Sequence, residues 1–114
     1  MKLLIITIIF FPVLFFAKGP NCTGVDQWPT AIAFVQLKNV GITDNNKVDF
    51  TKTKTVRLAS EKIGKDLYRQ IHQIKFTEKS GITLEVITIN DASNEECSIS
   101  GVDVFLINKH LGGK

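Results

Sequence analysis

The chain has 114 residues, a net charge of +3 from 14 basic and 11 acidic side chains, and two cysteines. That is one domain's worth of length, and its well-mixed charge, with arginine only at positions 57 and 69, lacks the concentrated basic face of a nucleic-acid binder. The lysines at 47, 52 and 54, with Lys62 and Lys65 beyond them, read as solvated surface.

The first predicted element is "MKLLIITIIFFPVLFFA", in which Lys2 precedes fifteen uncharged residues from Leu3 to Ala17. The run is shorter than the roughly 20 residues of a membrane-spanning helix and sits directly behind an N-terminal lysine. This is the pattern of a secretory signal peptide over residues 1–17, cut after Ala17. An uncleaved anchor is the competing reading, because Phe15 is bulky where cleavage sites favour a small side chain. Export would leave residues 18–114 as a single small secreted or periplasmic domain with no membrane attachment. It would remove only Lys2 from the charged set, leaving a net charge of +2.

Export also decides how Cys22 and Cys97 are read. In an oxidising compartment two cysteines in a short chain are expected to pair, with two buried thiols as the alternative. On the chain-entropy picture such a bridge, closing a loop of about 75 residues, would contribute about 4 kcal/mol. One bridge is too few for a disulfide scaffold, so an apolar core must supply most of the stability. The lead-in "GPNCTG" also contains Asn21-Cys22-Thr23, which matches a glycosylation acceptor pattern and would matter only in a eukaryotic secretory route.

"VDQWPTAIAFVQLKNVG" then carries helix signals: Asp26 as a cap, Pro29 in the first turn, and Gly41 for the left-handed position after the end. Trp28, Ile32 and Val35 recur at helical spacing, as do Ala31, Phe34 and Leu37, and Trp28 beside Pro29 reads as a core anchor. "ITDNNKVDFTKTKT" is polar and turn-rich. Beyond it, even spacing of Val56 and Leu58, and of Tyr68, His72, Ile74 and Phe76, favours strands over 54–62 and 67–77 around a "GKD" turn; a helix over 59–72 is the alternative. "EKSG" joins the second of these to the β-branched run "ITLEVITIN" in a hairpin, and "VDVFLINKH" supplies a last strand. The expected fold is α+β: one N-terminal helix packed on a mostly antiparallel sheet of about four strands, stapled by the Cys22–Cys97 disulfide.

The segment most like a site is "TINDASNEECSIS", with Asp91, Glu95 and Glu96 beside Cys97. A calcium loop needs glycine at its sixth position and glutamate at its twelfth, where this segment has Glu96 and Val102. A capping box from Ser93 to Glu96, in one helical turn presenting Cys97 to Cys22, accounts for the same residues without a metal, with Asp91 as an alternative cap. No cofactor motif or zinc-type Cys/His spacing is present. There is no Gly-x-Ser-x-Gly elbow, and a domain of about 97 residues leaves little room for a deep cleft.

Two function classes follow. The first is a small exported, non-catalytic protein whose partner is another protein. By class-level analogy it would be an inhibitor or immunity protein acting on a hydrolase or toxin in the cell envelope. Tyr68 and Arg69 are the candidate contact residues, since both types are enriched at binding hot spots. Loops at one sheet end, or an edge strand that can also make a homodimer, would be the binding surface. The second is a small ribonuclease-like hydrolase, with His72 and His110 as base and acid.

Overall fold

The computed structural model describes residues 18–107. The expected signal peptide, His110 and the C-terminal end of the last expected strand lie outside that range. The described chain forms one α-helix, α1 (Trp28–Asn39), a 3-10 turn (Phe50–Lys52) and four strands, β1 (Lys54–Gly64), β2 (Leu67–Thr77), β3 (Thr83–Ala92) and β4 (Asp103–Ile107). The strands pair antiparallel in the order β1-β2-β3-β4, and Cys22 is bonded to Cys97. The expected α+β architecture with its staple is therefore what forms, and the two-strand reading of 54–77 holds over the helical one.

Helix α1 carries Pro29 in its first turn, where the missing N–H is one that would be unpaired in any case. The cap position belongs to Gln27 and not to Asp26, and no side chain caps the helix there. Instead the Gln27 side chain reaches back to accept a 2.6 Å hydrogen bond from the Gly24 N–H, tightening the turn that leads in. At the other end Gly41 takes φ +81°, where a side chain would be strained, and so releases the chain from the helix.

The buried face of α1 is Pro29, Thr30, Ala33, Phe34 and Leu37, one stripe at the i, i+3, i+4, i+7 spacing. Trp28 falls outside this stripe and is 51% exposed, so it is not a core anchor. The segment is apolar on several sides, so its periodicity could not select the face. The sheet does so, by seating Phe34 against Phe76 and, edge-on at 4.9 Å, against Phe50.

The inner face of the sheet is divided along its strands. Going along β2, the inward residues are Gln70, His72, Ile74 and Phe76; along β3 they are Val86, Thr88, Asn90 and Ala92. Ile74, Phe76 and Val86 join Ala33, Phe34, Leu37 and Val48 in the apolar core under the helix. Gln70, His72, Thr88 and Asn90 form a polar half outside that apolar core. Edge strand β1 carries register shifts between Arg57 and Ala59 and between Lys62 and Gly64, which bend it and interrupt an otherwise free edge.

Candidate functional site: the loop end of the sheet

The β1–β2 hairpin turn lies at the polar end of the sheet. Gly64 pairs with Leu67, so the turn is Lys65-Asp66, and Asp66 takes φ +53°, a conformation aspartate tolerates better than most residues. Its carboxylate accepts hydrogen bonds from the Asn94 backbone N–H at 2.9 Å and side-chain amide at 2.8 Å. The hairpin turn is thereby tied to the loop that follows β3.

That loop, residues 93–101, is the acidic segment singled out in the sequence. Ser93 does cap, taking the N–H groups of Glu95 and Glu96 on its hydroxyl at 3.2 and 3.1 Å. The reciprocal half of the capping box is made by backbone and not by the Glu96 side chain, since the Ser93 N–H donates to the Glu96 carbonyl at 2.9 Å. The segment is thus a tight turn and not a helical one. Its carboxylates do not converge, and among the described residues no group of three His, Cys, Asp or Glu side chains is arranged to hold a metal ion.

The third segment at this end is the strap of residues 18–23, leading into the helix. Arg57 donates to the carbonyl oxygens of Lys18 and Pro20 at 2.7 and 2.8 Å, and the Gln70 side-chain amide donates to Pro20 at 3.0 Å. Gly19 lies flat on the Tyr68 ring, where an added Cβ would sit 2.8 Å from its Cγ. Cys22, fully buried, then bonds to Cys97 in the acidic loop. Hairpin turn, acidic loop and strap thus form one cross-linked unit, and the exposed apolar side chains Ile63 and Ile99 belong to it.

Tyr68 and Arg69 both lie at this end but point to opposite faces, as neighbours in a strand must. Tyr68 faces inward onto Gly19. Arg69 faces outward into a bidentate pair with Asp91, at 2.9 and 3.3 Å, and that carboxylate raises the guanidinium pKa above its ordinary value. The strands bring this pair together because Arg69 and Asp91 are directly opposite in the β2–β3 register. Asp91, read from the sequence as an alternative cap, is instead this ion-pair partner.

An open cleft of about 450 Å³ runs beside the pair, lined by Arg69, Asn90, Asp91, Ser100, Gly101 and Asp103. The Ser100 hydroxyl accepts from the Asp91 N–H at 2.9 Å and lies 2.8 Å from the Gly101 carbonyl, to which it donates. His72 lies in the polar half of the inner face, 0% exposed, with neither ring nitrogen hydrogen-bonded. Desolvation, helped by the Arg57 charge, lowers its pKa from 6.5 to about 4. In this conformation the His72 ring is not presented at the surface.

The features missed in the sequence are the Asp66–Asn94 tie and the strap. Both join segments distant in the chain through single polar side chains, and neither leaves a local pattern to detect. The only available signal was the "GKD" turn itself. No family model matches this chain, no curated protein matches it, and no solved structure matches it.

Proposed function

We propose that this is an exported, non-catalytic binding protein, an inhibitor or immunity protein that covers a hydrolase or toxin of the cell envelope with the loop end of its sheet. One observation carries the reading. Three segments remote in sequence are cross-linked into a single end by a disulfide and by Asp66–Asn94, and that end leaves Ile63 and Ile99 uncovered. Ordering loops before contact lowers the entropy cost of association, which is the use a binding surface has for such bracing. Apolar side chains in a polar surround are the usual core of a contact patch. Export is supported by the apolar N-terminus and by a formed disulfide, which persists in oxidising compartments. Among the described residues no helix is long and apolar enough to cross a membrane.

The test is capture of partners from an exported fraction by the purified, oxidised protein. Wild type should retain a stoichiometric protein partner, and Ile63→Asp or Ile99→Asp should release it at least tenfold more readily with no change in the unfolding midpoint. Cleavage of RNA or peptidoglycan that disappears in His72→Ala or His110→Ala would replace this reading with the hydrolase one.

A further inference from the structure

The strap lies against one end of the polar half of the inner face, bonded to Arg57 and Gln70 and packed on Tyr68. Gln70 Oε1, both ring nitrogens of His72, Thr88 Oγ1 and Asn90 Oδ1 are buried without a hydrogen-bond partner. The strand register makes them one patch, since His72 is directly opposite Thr88 and Gln70 directly opposite Asn90. The strap is held against this patch by only a few contacts. Arg57 and Gln70 grip the carbonyls of Lys18 and Pro20, Gly19 rests on Tyr68, and Cys22 anchors one end covalently.

We propose that residues 18–21 are an acid-released strap, which stays docked on Arg57 while the neighbouring His72 is neutral and swings away from the sheet, hinged at the Cys22–Cys97 bond, when that imidazole takes a proton. The charges around His72 give the direction. Arg57 of β1 is its directly opposed neighbour, so protonation places two cations side by side. Lys62 shares this face but is opposite Tyr68, four residues along β2 from His72. Thr88 of β3 is uncharged, as is the buried face of α1. The strap presents backbone carbonyls to Arg57, and Asp26 beyond it is exposed. The strand carboxylates Glu61, Glu85, Asp91 and Asp103 all pair at positions on the opposite face. Among the described residues no strand carboxylate therefore compensates a charged His72 in place, and hydration is the available relief. Arg57, which grips the strap, is the group the new charge repels.

NMR of the disulfide-bonded protein from pH 7 to pH 4 tests this. Gly19 α-protons stacked on Tyr68 give ring-current-shifted signals and cross-peaks to the ring, while Phe34–Phe50 cross-peaks report the core. With His72 moving between about 4 and 6.5, the open-to-closed ratio should rise by roughly 100-fold over this range. The expected result is loss of the Gly19–Tyr68 signals at the same midpoint as the His72 imidazole titration, with the Phe34–Phe50 signals intact. In His72→Gln the Gly19–Tyr68 signals should persist at pH 4. Loss of strap and core signals together, strap signals that survive His72 titration, or equal acid release in His72→Gln would each overturn the proposal. Should His72→Gln fail to fold, the coincidence of the two wild-type midpoints decides alone.

Discussion

His72 and Gly19 show at single-residue scale how the strap constrains this fold. The histidine is neutral because burial penalises its charged form and Arg57 adds to that penalty. The sign of the resulting pH dependence follows directly. A folded-state pKa below the ordinary value means that protons favour the unfolded chain, so this contribution to stability is complete above about pH 6.5 and is lost as the pH falls toward 4. The loss is at most about 3 kcal/mol, and less to the extent that solvent screens the ring. Urea unfolding at pH 7 and pH 4 should show it, and His72→Gln should flatten that part of the profile. Gly19 is held at φ +65° with Tyr68 in the space a side chain would occupy, whereas Gly41, at φ +81°, has open space around it. Gly41→Ala should therefore cost about 1 kcal/mol for its backbone alone, and Gly19→Ala about 2–4 kcal/mol, because overpacking is added. Paired denaturant titrations separate the two.

At the scale of elements, the strands were legible in the sequence and the helix face was not. Strand β3 is a near-continuous β-branched run, and the alternation of Ile74 and Phe76 with Gln73 and Lys75 admits only one buried face of β2. Expected ranges of 54–62 and 67–77 became Lys54–Gly64 and Leu67–Thr77. The helix carried its termini in Pro29 and Gly41, but its apolar residues lie on several sides, and only packing against Phe76 and Phe50 selected Phe34 over Trp28. Phe76→Ala, at a fully buried position, should cost about 3–5 kcal/mol. Trp28→Ala should cost less, about 1–2 kcal/mol, since half of its surface is already in water. Opposite outcomes in thermal unfolding would mean that α1 is rotated about its axis.

For the whole molecule, the Cys22–Cys97 bond closes a span of 75 residues and joins the strap to the acidic loop. Reduction by a phosphine should lower stability by about 4 kcal/mol on the chain-entropy account. It should also loosen the strap and residues 93–101 before the helix–sheet core, because these segments share little apolar burial with it. A chelator should leave the unfolding midpoint unchanged. Hydrogen exchange with and without reductant, read segment by segment, checks the order of opening.

The sequence by itself determined the fold class, the order and approximate places of the strands, the cysteine pairing and the turn between β1 and β2. All of these rest on local periodicity, on turn chemistry or on there being only one pair to form. Tertiary structure alone decided which side of the helix is buried, that Asp91 pairs with Arg69, that the strap docks on Arg57 and Gln70, and that His72 is buried. Those outcomes depend on strand register and on contacts between residues tens of positions apart. A polar residue on an inward strand position looks the same in sequence whether water, a ligand or another segment of the chain comes to cover it.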